Sequence, residues 1–83
     1  PALVALMEKT AMIAIENNLQ KGQNSVGTEI NIKHVKATPV GEAVLCLAEL
    51  IEIDRSRLNF KVEAFDSQGM IAYGHHQRFL IDE

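Results

Sequence analysis

The first twenty residues, Pro1 to Gln20, constrain this chain more than any other stretch. They are good helix formers, apolar around most of the circumference between Leu3 and Ile15. A helix of that kind belongs against a core rather than on a surface. At about 100° per residue, Glu8 falls within the stripe of Val4, Ala11, Met12, Ile15 and Leu19. A carboxylate on an apolar stripe is costly unless it is paired or used. Glu8 is therefore either a structural carboxylate bonded to a neighbouring element or a working acid–base group, since burial moves a carboxylate toward the range where it shuttles protons.

The remainder of the chain is patterned as strands. Gly22 is a candidate left-handed cap that ends the helix, and a polar loop runs to Ser25. From Val26 to Lys36 the period becomes two, with Val26, Thr28, Ile30, Ile32 and His34 on an inner face and Glu29, Asn31 and Lys33 on the outer one. Gly27 inside that strand suggests a bulge or a close backbone approach. Pro39 breaks the pattern. Ala43 to Ile53 is apolar on both faces, which predicts a strand covered on both sides. Leu58, Phe60, Val62 and Ala64 alternate with polar residues; Asp66 to Gly69 is a hairpin turn; Met70 to Ile81 is a last strand of undecided facing. One helix followed by four strands, the last three a meander, is an α+β arrangement in a single domain over residues 1–83.

Composition narrows the function. At this length roughly 60% of the unfolded surface can be buried, so help from a second chain is expected. A net charge of −3 offers no nucleic-acid footprint. No apolar run approaches the roughly 18 residues of a membrane span, and no signal segment is present. The single cysteine, Cys46, reads as a small core residue and fits a reducing, cytoplasmic setting. A start on Pro rather than Met leads us to expect a trimmed or partial chain. His75 and His76 point to opposite faces of a strand, so they do not make a metal site and read as surface or interface histidines.

Four strings then carry a resemblance: Leu6-Met7-Glu8, Ser25-Val26-Gly27-Thr28, His34 to Gly41, and Gly74-His75-His76-Gln77-Arg78-Phe79. Together they resemble hotdog-fold thioesterases of the fluoroacetyl-coenzyme A thioesterase family, over essentially the whole chain. The resemblance implies the hotdog fold, a long central helix wrapped by an antiparallel sheet, with four strands here and the family's first strand missing upstream. It implies hydrolysis of an acyl-coenzyme A thioester, with Glu8 and His34 as the catalytic acid–base pair and Gly27, Thr28 and Arg78 in substrate binding. Gly27 would lie near the thioester carbonyl. Arg78 would meet a phosphate of coenzyme A or form a surface ion pair. No metal or redox cofactor is implied, because a thioester is already activated. The resemblance also implies a homodimer through edge strands, by way of Val26 to Lys36.

Two departures from the family pattern matter. The family's further catalytic hydroxyl would precede Pro1, and His75 stands where the family has threonine. The aromatic residues behind fluoroacetyl selectivity also fall upstream, so that preference is not carried over. A non-catalytic module that binds an acyl-thioester as sensor or carrier is the competing expectation. A hydratase or dehydratase, which would leave the thioester intact, is a third.

Overall fold

The computed structural model describes residues 2–82; Pro1, expected in the first helical turn, lies outside the described residues. Helix α1 spans Ala2–Glu16, and four strands follow: β1 (Gln23–His34), β2 (Leu45–Asp54), β3 (Arg57–Asp66) and β4 (Gly69–Asp82). All pairings are antiparallel, in the order β1-β4-β3-β2, so β1 and β2 form the two edges. The α+β expectation holds. The helix is shorter than its pattern suggested, and Gly22 does not cap it. With φ of 84°, Gly22 instead sits third in a turn closed by Gln23 N–H donating to the Gln20 carbonyl at 2.9 Å.

The core lies between one helix face and the concave side of the sheet. Met7, Ala11 and Ile15, spaced four apart, pack against Leu58, Phe60, Val62 and Ala64 of β3 and Ile71 and Ala72 of β4. Full burial of side chains the size of Phe60 and Met7 contributes about 1.5–3 kcal/mol each. Leu3 also packs in part against this core, but other apolar positions of the helix are left open: Leu6 and Ile13 are 40% and 50% exposed. β2 differs from its expectation in the same way. Cys46 and Ala48 pack inward, but Leu45 and Leu47 remain exposed on the outside. Ile53, turned to the helix side opposite Leu58 by a register slip between Leu50 and Glu52, is also left exposed. Burial pushes the Cys46 thiol up from its ordinary value, consistent with a packing role.

The ladders slip at Gly27/Glu29, Leu50/Glu52 and Ala64/Phe65; the first of these, together with Gly74, shapes the sheet beside the helix. In β1 the register with β4 slips between Gly27 and Glu29, leaving Thr28 as an extra residue. That slip reverses the side-chain alternation. Ser25 and Gly27 face inward before it, and Ile30 and Ile32 after it. Val26, expected inside, is 41% exposed. In β4, Gly74 is pressed against β1: a Cβ there would fall on the Asn31 carbonyl oxygen, far inside van der Waals contact. Only a residue without a side chain permits that curvature.

Residues 35–44, which cross from one edge of the sheet to the other, are tied to the β3–β4 turn. Asp66 accepts from the Gln68 backbone N–H at 2.8 Å and the Thr38 hydroxyl at 3.2 Å, and its carboxylate lies 3.3 Å from Lys36 Nζ. Glu42 accepts from the backbone N–H and the hydroxyl of Ser67. Among the described residues, no helix is long and apolar enough to cross a membrane.

Two outcomes test this account. Gly74→Ala should destabilise the domain by about 2 kcal/mol or more, because the obstacle is backbone, and lower Tm by roughly 8–16 °C; an unchanged melt would contradict the strand approach. Asp66 is held below the ordinary carboxylate range, first by the Gln68 N–H, with Lys36 and Thr38 adding to it and burial opposing. A carboxyl depressed in the folded state stabilises above its unfolded pKa, and that contribution disappears as pH falls through the lower folded value. Denaturant titrations should therefore show the gap between wild type and Asp66→Asn narrowing as pH drops below about 4.

Candidate active site

The inward positions of three elements converge at Gly27. Measured from where a Cβ on Gly27 would sit, His76 Cε1 is 3.1 Å away, Arg78 Nη1 3.3 Å and Glu8 Oε2 3.4 Å. Those distances are shorter than ordinary carbon contacts, so it is the missing side chain of Gly27 that lets the three groups approach one point beside the exposed backbone of β1. β1 supplies the glycine and β4 supplies His76 and Arg78, which alternate inward with Ala72, Gly74 and Leu80. The helix supplies Glu8, one residue beyond buried Met7 and so at the margin of the buried stripe.

Arg78 is buried, at 7% exposure, and its donors are directed. Nε donates to Ser25 Oγ at 2.9 Å and Nη2 to the Ser25 carbonyl at 2.9 Å. Nη1 lies 3.2 Å from His76 Nε2. Burial lowers the guanidinium from its usual value, and the Glu8 carboxylate opposes that shift. Among the described residues, no hydrogen bond or ion pair engages the Glu8 carboxylate itself. A half-buried carboxylate close to a buried cation but not hydrogen-bonded to it keeps its acceptor capacity for something else.

The expected site residues do not all gather at this point. Glu8, Gly27 and Arg78 do, and Arg78 lies inside the fold rather than in a surface ion pair. Thr28, bulged out, turns to the opposite face, where its hydroxyl donates to the Gln77 carbonyl at 3.3 Å and accepts from Gln77 Nε2 at 3.1 Å. His34 is exposed at the far end of β1. Gly27 pairs with Arg78 and His34 with Ala72, six residues apart along β4, which is about 20 Å of strand at roughly 3.3 Å per residue. His34 instead borders an open groove of about 510 Å³ floored by Leu3, Leu6, Val44 and Ile71. Within one chain, Glu8 and His34 lie at opposite ends of β1.

Two members of the cluster were not anticipated. His76, expected at a surface or interface, is buried at 1% exposure, while His75 faces outward. Ser25, read as loop, is a buried strand residue. The available signal was parity: His76 and Arg78 alternate with Ala72 and Leu80, so whichever face holds one holds all four.

This architecture and sequence match known proteins. The family model described as fluoroacetyl-CoA-specific thioesterase, FlK, matches residues 1–83. The fluoroacetyl-CoA thioesterase of Streptantibioticus cattleyicolor is 38% identical over 79 residues, 95% of this chain and 57% of that protein. A crystal structure of an FlK variant in complex with fluoroacetate and CoA superposes with a TM-score of 0.91 at 38% identity, covering 96% of this chain and 64% of that one. A hot-dog-like protein from Thermanaerovibrio acidaminovorans shares the fold, with a TM-score of 0.93 at 21% identity over 98% of this chain and 60% of that one. The chain thus spans somewhat more than half the length of these relatives. It has the hotdog fold and belongs to the family of the fluoroacetyl-CoA-specific thioesterase.

Proposed function

We propose that this chain is the catalytic part of an acyl-coenzyme A thioesterase that releases a free acid and coenzyme A. The observation that carries the reading is the half-buried Glu8 carboxylate, without a hydrogen bond or ion pair among the described residues, set close to Arg78 and His76 beside Gly27. A thioester carbonyl brought up beside Gly27 would place its oxygen near the guanidinium, where the charge formed on attack is stabilised. Glu8 takes a proton from the attacking water as its oxygen bonds to the carbonyl carbon. The tetrahedral species then collapses, the carbon–sulfur bond breaks, and the thiolate leaves with a proton from His34. The proton that Glu8 took from water makes good the one His34 gave, so that both groups return to their starting state. The single thiol, Cys46, suits a reducing compartment such as the cytoplasm.

His34 reaches that site in a homodimer. β1 is an edge strand with one ladder unpaired. Two copies related by a two-fold axis at Asn31 would pair antiparallel through it. With Thr28 bulged, as it is against β4, Gly27 then stands opposite the partner's His34, both facing inward. The same register places exposed Glu29 opposite the partner's Lys33, and opposite charges directly across a ladder stabilise it by roughly 0.2–1 kcal/mol. Neither pairing holds in a register shifted by one residue, which would turn Ile30 and Ile32 outward.

Thiol release from a panel of short and medium acyl-coenzyme A esters by the full-length protein tests the activity. Glu8→Gln should lower kcat by about 100-fold or more with an unchanged melt; no thiol from any ester would refute hydrolysis, and full activity in Glu8→Gln would refute the assignment of Glu8. Mixing Glu8→Gln and His34→Ala chains tests the assembly. Each variant alone should be inactive, and the mixture should regain about a quarter of wild-type activity, because half the dimers carry one intact composite site. No recovery on mixing would place Glu8 and His34 in separate sites.

A further inference from the structure

From its two ring contacts we infer that His76 is a positioning residue: a buried, neutral imidazole held in one tautomer so that it can fix the Arg78 guanidinium beside Glu8. The inference rests on the thioesterase reading for its kinetic consequence and on the geometry alone for its structural one.

His76 Nδ1 lies 2.8 Å from the backbone carbonyl of Glu29, the residue immediately after the bulge. A carbonyl only accepts, so Nδ1 carries the hydrogen. On the other side Nε2 faces Arg78 Nη1 at 3.2 Å, and a guanidinium only donates, so Nε2 must be bare. One protonation state satisfies both neighbours. The opposite tautomer would set N–H against N–H at Arg78 and lone pair against lone pair at Glu29, and the imidazolium would meet the first of those clashes. Phe60 supports the ring in this orientation, with centroids 6.3 Å apart and planes 28° from parallel. With both nitrogens occupied, the ring is not free to carry protons for a reaction. Its effect is to supply an acceptor to one edge of Arg78 while Ser25 supplies two to another, so that the cation cannot swing away from Glu8. The Glu29 carbonyl is available to the ring where the bulge restarts the ladder. The bulge therefore sets the tautomer, and the tautomer sets the arginine.

Two amide substitutions separate the ring's two contacts. His76→Gln extends an acceptor to the position of Nε2 and gives up the bond to Glu29. His76→Asn keeps a donor near Nδ1 and leaves Arg78 without its acceptor. Each buries one amide, so a merely structural role would affect both alike. We expect similar losses of Tm in the two variants, kcat within a few-fold of wild type for His76→Gln, and a fall of about 100-fold for His76→Asn with KM little changed. Equal kcat losses would overturn the inference.

A second readout does not depend on turnover. In ¹⁵N spectra the Arg78 Nε–H signal should exchange slowly in wild type and His76→Gln and be lost in His76→Asn. The wild-type imidazole correlations should show a protonated Nδ1 and a bare Nε2, and the reverse tautomer would overturn the inference even if neither variant folds. If wild type releases no thiol, the thioesterase reading fails while these spectra still decide the role of His76.

Discussion

A guanidinium inside an 83-residue domain is the constraint on which the rest of this structure turns. Withdrawing a cation from water costs several kcal/mol unless its donors are met and a counter-charge lies near. Here Ser25 meets two donors, His76 a third, and Glu8 supplies the charge. Each of those partners makes a demand of its own. Ser25 must face inward on β1, His76 must be one tautomer, and Glu8 must stand at the margin of the helix stripe rather than on its solvent side. The bulge at Thr28 reconciles them. It lets β1 present Ser25 and Gly27 at one end and Ile30 and Ile32 at the other, all toward the helix, although their numbering alternates out of step.

The broad plan of the fold was legible from residue periodicity. Alternation in β3 was unbroken, and Leu58, Phe60, Val62 and Ala64 became its buried side. The helix was legible from its composition, and Glu8 from its place on the wheel. What escaped the sequence has physical causes. A one-residue bulge leaves no periodic trace of its own, so Val26 and Thr28 read as inward when the chain in fact turns them out. β4 carries apolar residues on both faces, and without knowing which face meets the helix, His75 and His76 looked equivalent. β2 was expected to be covered twice because it is apolar twice. A single chain covers only one of those faces.

The separation of Glu8 from His34 is the point at which local pattern and function diverge. Both were expected on surfaces that face the interior, and the family resemblance made them partners. Strand geometry puts them at opposite ends of β1. A long edge strand with a different functional group at each end is an economical arrangement for a two-fold assembly, because antiparallel pairing brings the two ends together twice. The exposed apolar helix face, with Leu6 and Ile13, and the outer face of β2 are consistent with a chain whose folding is completed by other surfaces.

Gly74 sets a limit on how such a protein can diversify. Its missing side chain admits the Asn31 carbonyl, and Asn31 is the residue on which the proposed two-fold axis falls. Curvature of the sheet, placement of His76 two residues along, and the meeting line of two subunits are thus tied to one contact. Any lineage that enlarged this residue would have to rebuild all three together. The groove at the helix N-terminus, walled by Leu3, Leu6 and Val44, is under no such tie. Side chains there can grow or shrink one at a time, so that groove can change shape while the seam stays fixed.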